Sequence, residues 1–209
     1  MLEKQTKMDR RCVILSGLAL AAASQAAVAD SGLEELSPSI LEAAKQSLAL
    51  HAGKVTKPEF IGIIDFAIPS YRPRFYVVSS DLKTVIAKYY TSHGRGSDPG
   101  DLSPVPVSFS NDSGSKATCL SGFLGLEEYV GKHGRSLRLE GLDPTNSNAR
   151  SRSIVIHTAP YVDPARAKDK IPMGRSEGCF VVSKGDLSAV VSAFQGGGFI
   201  YAGMTGYKP

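Results

Sequence analysis

Short β-branched and aromatic runs, broken by glycine- and proline-rich turns, predict a β-dominated α+β domain: a barrel or sandwich flanked by one or two helices. At 209 residues and 42% hydrophobic composition, the chain can bury a core without covalent staples. Its 21 glycines and 12 prolines favour many turns and short strands over a helical bundle. Helical spacing of apolar residues occurs in only two stretches, one near each end of the chain.

Residues 1–29 read as an export signal. Lys4, Lys7, Arg10 and Arg11 precede the apolar run CVILSGLALAAA, which is too short to span a bilayer, and Ala27-Val28-Ala29 offers a small-x-small cleavage site. Arg10-Arg11 also fits a twin-arginine signal. Without that segment, 24−4 basic and 20−2 acidic side chains leave a net charge of +2, lacking the concentrated basic excess of a nucleic-acid binder. No later apolar run reaches spanning length, so the expectation is a monomer without a membrane span, exported to the periplasm or cell-wall space.

Residues 30–58 predict a helix and a linker, and 59–209 a single domain. Ser37-Pro38 has the form of an N-cap followed by proline at the first helical position; Ile40, Leu41, Ala44 and Leu48 then recur on one face until Gly53. FIGIIDFAI (60–68), RFYVVSS (74–80) and KTVIAKYYTSHG (83–94) predict strands, with a hairpin turn at Ser79–Leu82. Residues 94–117 predict a long loop, of the kind that usually serves function. Residues 122–142 predict short strand pieces interrupted by glycine, and SRSIVIH (151–157) a strand ending in histidine. A second long connection, Thr158–Gly178, leads to the strand FVV (180–182). Ser183 then predicts a cap for a helix with Leu187, Val190, Val191 and Phe194 on one face; Gly196–Gly198 stop it before the closing strand FIYA (199–202).

The chemistry centres on Cys179, in GRSEGCFVV (174–182). Structural zinc is disfavoured: there is no CxxC or HxxxH pair, and His51, His93, His133 and His157 are scattered. No phosphate-binding or dinucleotide fingerprint is present, so neither a metal nor a cofactor is expected. In an exported chain Cys119 and Cys179 form a potential disulfide. As a nucleophile, Cys179 needs a base; His157, on a buried strand opening into Thr158-Ala159-Pro160, is the best-placed candidate. Gly178 would let a substrate backbone approach closely, and the turn's N–H groups would meet an oxyanion. On spacing alone, nucleophile and buried core cysteine stand level.

HTAPYV (157–162) with GRSEGCFVV resembles the histidine and Ser-x-Gly-Cys signature of L,D-transpeptidase catalytic domains, cysteine enzymes that act on peptidoglycan stem peptides. SHGRGSD (92–98), SFSN (108–111), EYVGKHGRSLRLEGLD (128–143) and NSNARSRSIVIH (146–157) extend the likeness to the murein branch of that family, in order across about half the chain. The resemblance implies an L,D-transpeptidase-like fold, Cys179 as nucleophile, His157 as base, and Ser176 and Gly178 as residues shaping the site. It implies that a backbone carbonyl, with Thr158 the candidate, orients the histidine. It also implies thioester chemistry on tetrapeptide stems and a covalent carbapenem adduct on Cys179. The same residues admit an L,D-carboxypeptidase or hydrolase; a non-catalytic wall-binding domain with a structural Cys179 is the alternative of another class. Glu177 and Phe180-Val181-Val182 stand where many members carry histidine and arginine, so no role for those side chains transfers.

Arg95 and Arg175 are candidates to grip substrate carboxylates. His93 is a candidate either to contact substrate in the same cleft or to pack beneath the long loop. His133, in a turn, reads as structural; His51 receives no role, and Cys119 reads as core.

Overall fold

The computed structural model describes residues 32–98, 100 and 102–207; the expected export signal lies outside the described residues. The strand-dominated α+β class is as predicted. Helix α1 (Pro38–His51) precedes strands β1 (Lys57–Asp65), β2 (Phe75–Ser79), β3 (Val85–Tyr89) and β4 (His93–Gly94). Then come β5 (Ser121–Gly131), β6 (Gly134–Gly141), β7 (Val155–Thr158), β8 (Arg175–Ser176) and β9 (Phe180–Val182), followed by α2 (Leu187–Phe194) and β10 (Gly198–Gly203). Eight strands share one mixed sheet in the order β3-β2-β1-β10-β5-β6-β7-β9, and β4 pairs with β8 apart from it.

Local rules account for most elements. Ser37 Oγ accepts the Ser39 N–H, with Pro38 opening α1 as expected. The β2–β3 hairpin closes through Leu82 N–H to the Ser79 carbonyl. Alternation along β1 sends Ile61 and Ile63 to the α1 face and Ile64 to the α2 face. Each helix therefore seals one face of the sheet with an apolar cluster: Ile40, Ala44 and Phe199 on one side, Phe75, Phe123, Phe180 and Phe194 on the other.

Two expectations need correction. Residues 122–142 are not broken at their glycines: β5 and β6 form one long hairpin in which Gly131 faces Gly134 and Gly125 faces Leu139. Cross-strand pairing overrides the low strand propensity of glycine. Ser183 does not cap α2 directly; its hydroxyl donates to Asp186 Oδ2 at 2.7 Å, and the helix begins after Asp186. The polar turn delays the start because its groups satisfy each other.

A buried polar chain fastens β4 and β8 to the core. Arg74, with no exposed surface, donates from Nε to the Thr91 carbonyl (2.9 Å), from Nη1 to the carbonyls of Ile68 and Pro104, and from Nη2 to His93 Nδ1 (2.9 Å). Since a guanidinium only donates, His93 Nδ1 must accept, so Nε2 carries the proton and donates to Asp98 Oδ1 at 2.8 Å. Asp98 Oδ2 accepts from Arg175 Nε at 2.5 Å. Burial, then the charges of Arg74 and Arg175, pull His93 down to about 2, which keeps it neutral.

His93 binds a proton far less readily when folded than when unfolded, so the unfolded state takes up the proton first as pH falls. Stability is therefore fully present above about 6.5, the ordinary histidine value, and declines below it by up to ~1.4 kcal/mol per pH unit. Chemical denaturation between pH 7 and 4 will show this slope, and His93→Gln, which keeps one acceptor and one donor, will flatten it. An unchanged slope in that variant would contradict the assignment.

Candidate active site

Strand β7 lies parallel to β9, with His157 opposite Val181, so the C-terminal end of β7 and the turn before β9 arrive at one place. His157 and Cys179 line the same cleft of ≈ 400 Å³, with Arg152, Tyr161, Ser176 and Glu177 around them. Both are nearly sealed, Cys179 at 8% exposure and His157 at 2%.

The imidazole is held in one tautomer. His157 Nδ1 lies 3.0 Å from the Thr158 carbonyl, which only accepts, so Nδ1 carries the proton and Nε2 presents a lone pair. Burial lowers the proton affinity of His157, the Thr158 carbonyl raises it, and neighbouring His133 lowers it again; the net shift is downward. The Cys179 thiol is shifted upward, first by burial; the Val155 N–H and Arg152 oppose this, and Glu177 adds to it. At rest the pair is thus neutral thiol and neutral imidazole, and the thiol donates to the Ser153 carbonyl at 3.6 Å.

The turn that carries Cys179 is built by Ser176 and Gly178. Ser176 Oγ donates to the Cys179 carbonyl (2.8 Å) and accepts the Gly178 N–H (3.1 Å). Gly178 has φ +115°, and a Cβ there would stand 2.7 Å from both the Ala117 carbonyl oxygen and Ile154 Cδ1. Here the sequence expectation changes: the backbone that approaches Gly178 is the chain's own, and its N–H is taken by Ser176. Thr118 completes the clamp, accepting the Gly94 N–H and reaching the Gly178 carbonyl.

The other sequence candidates fall outside substrate reach or arrive paired. His93 is fully buried and does not line the cleft; the long loop seals it into the Arg74–Asp98 chain. Arg175 borders the cleft, but its guanidinium is consumed by Asp98 and by the carbonyls of Met173, Gly174 and Ser103. Arg95 sits at the exposed rim, ion-paired to Glu177. Cys119 and Cys179 are both free thiols.

Sequence reasoning missed several lining residues, Arg152, Lys132 and His133 among them. Arg152 binds the carbonyls of Ser110 (2.7 Å) and Ala117 (2.5 Å) and carries positive charge toward Cys179. Lys132 and His133, at the β5–β6 tip, also line the cleft, and the His133 ring stacks on His157. The glycine-flanked GKHG signalled a turn, but not which distant element that turn would meet. Among the described residues no cluster of three or more His, Cys, Asp or Glu stands ready to hold a metal. Nor, among them, is any helix long and apolar enough to cross a membrane.

The model of the L,D-transpeptidase catalytic domain matches residues 33–202. The chain belongs to this family. No curated protein matches it. Among solved structures, this L,D-transpeptidase-family chain is similar to an L,D-transpeptidase from Mycobacterium smegmatis at 14% identity and TM-score 0.42, over 69% of this chain and 58% of that one. It is also similar to an L,D-transpeptidase from Xylanimonas cellulosilytica at 15% identity and TM-score 0.42, over 76% and 69% of the two chains. L,D-transpeptidase 3 from Mycobacterium tuberculosis, solved with a faropenem-derived adduct, stands at 14% identity and TM-score 0.43, over 69% and 60%. The chain thus covers under three fifths of the Mycobacterium smegmatis protein, 58% of its length.

The two cysteines differ enough to be told apart chemically. Cys119 is 1% exposed, and burial raises its thiol to about 11, whereas Cys179 opens on the cleft. Iodoacetamide at neutral pH followed by peptide mass spectrometry will therefore place the label on Cys179 and leave Cys119 unmodified. A label confined to Cys119 would contradict this arrangement.

Proposed function

We propose that the protein is an exported L,D-transpeptidase that forms a thioester on Cys179 from peptidoglycan tetrapeptide stems, with His157 as general base. The observation that carries this reading is the Thr158 carbonyl on His157 Nδ1, which leaves Nε2 free in the cleft that holds Cys179. Membership of the L,D-transpeptidase catalytic-domain family supports it.

In the first half-reaction the thiol proton passes to His157 Nε2 as sulfur attacks the carbonyl of the L-centred linkage before the terminal D-residue. The C–S bond forms, the C–N bond breaks, and the leaving amine takes the proton from Nε2. In the second, the amine of another stem attacks the thioester and His157 takes its proton. The new C–N bond forms, the C–S bond breaks, and sulfur recovers the proton. Each half avoids the barrier of direct amide exchange. A neutral resting pair means that charge separates only as the bond forms, while the Val155 N–H and Arg152, both of which favour the thiolate, steady the developing charge. Ser176 and Gly178 hold the turn. The exposed rim cation Lys132 faces an anionic stem better than Arg152 or Arg175, whose donors go to the chain's own carbonyls and, for Arg175, to Asp98.

Purified tetrapeptide muropeptides incubated with the protein and analysed by mass spectrometry will yield cross-linked dimers; tripeptides alone would mean carboxypeptidase action. Cys179→Ala will abolish turnover, His157→Gln will lower it by ~10²–10⁴-fold, and a carbapenem will add to Cys179. Turnover unchanged in Cys179→Ala would refute the mechanism.

The pH profile follows from the downward shift of His157. Its neutral form persists below the ordinary histidine value, so the acid limb of kcat/KM will lie below pH ~6.5. A limb at or above that value would argue against His157 as base in this environment.

A further inference from the structure

Resting on that reading, we propose that His133 is a positioning residue for His157: from the tip of the β5–β6 hairpin its ring packs face to face on the base and holds it in its working orientation. The two ring centroids are 4.3 Å apart with planes inclined by 19°. His157 is hydrogen-bonded at one edge by the Thr158 carbonyl, a bond that by itself does not fix the tilt of the ring. A flat ring against its face removes that freedom, and at this spacing the stack also excludes water.

The hairpin is built to deliver this ring. Gly131 pairs with Gly134, which takes φ +75°, so Lys132 and His133 form the tip with glycine at the left-handed position such turns require. Behind the tip, Arg135 binds both oxygens of Glu128 across the hairpin, at 2.5 and 3.0 Å, and reaches Ser188 Oγ of α2 at 2.6 Å. Arg138 lies over the Tyr129 ring at 4.3 Å and pairs with Glu127. An exposed tip is thereby anchored to a helix of the main core. His133 also borders a second cleft, of ≈ 650 Å³, on the side of Thr158 and Lys184, so its ring stands between that cleft and the one that holds His157.

A stacked imidazole acts on charge as well as on geometry. The ionisable groups around His157 are His133 and Lys132 of the hairpin, Arg152 before β7, Tyr161 after it, and Cys179 and Glu177 of the nucleophile turn. Arg95 is paired with Glu177, and Arg175 with Asp98. Of these groups His133 is in ring contact, and its charge disfavours a second proton on His157. While neutral, its ring face favours the imidazolium that forms when His157 takes the thiol proton.

The test compares His133→Ala with His133→Phe in the full chain. His133 is exposed, so both variants should fold, and thermal melts will verify it. His133→Ala is expected to lower kcat about 10-fold or more with little change in KM, because a misplaced base costs rate rather than affinity. His133→Phe restores the ring without the charge: kcat returns toward wild type, while the acid limb moves to higher pH. The same limb is read, without any wall substrate, from the pH dependence of Cys179 alkylation by iodoacetamide. Wild-type kcat and an unmoved limb in His133→Ala would overturn the proposal, as would His133→Phe as impaired as His133→Ala, or an effect confined to KM. If the wild-type protein fails on tetrapeptides while the alkylation limb still moves, the transferase reading falls and the positioning role stands.

Discussion

The buried guanidinium of Arg74 is the constraint on which the active-site half of the molecule depends. A cation with no exposed surface is tolerable only while its donors are met and a counter-charge is near. Arg74 meets this requirement with the carbonyls of Ile68, Thr91 and Pro104, with His93, and through His93 with Asp98. Asp98 in turn fixes Arg175, whose neighbour Ser176 shapes the turn that carries Cys179. The need to partner a buried cation is thus converted into the position of a two-residue strand, β8, too short to hold itself by ladder bonds alone.

From β8 onward, geometry passes to chemistry in a few steps. The β4–β8 ladder sets Ser176 opposite Gly94, and Ser176 folds the turn around Gly178. Parallel pairing of β7 with β9 brings His157 alongside. The environment then sets the protonation: burial shifts thiol and imidazole in opposite directions, both toward neutrality. In the proposed reaction, such a pair separates charge only once a substrate carbonyl has arrived.

Much of the chain was legible residue by residue. The α1 cap, the β2–β3 turn, the closing strand and the ordered signature around Cys179 are local patterns, and local physics builds them. The long β5–β6 hairpin was misread because glycine lowers strand propensity, while register across the pair decided the outcome. The reading of Arg175 changed for a related reason. Charge type is visible in a sequence, but whether the partner is substrate, as expected for Arg175, or the chain's own Asp98 and carbonyls depends on burial.

The sequence by itself determined the strand-dominated class and the family signature around a strand-end histidine and a glycine-flanked cysteine. These are written in short range, where spacing and turn chemistry act. Only the tertiary structure decided that Gly178 makes room for Ala117 and Ile154, that His93 is a sealed connector, and that His133 lies on His157. Those outcomes join residues far apart in the chain, and no local propensity encodes which hairpin tip meets which strand end. Sheet order does.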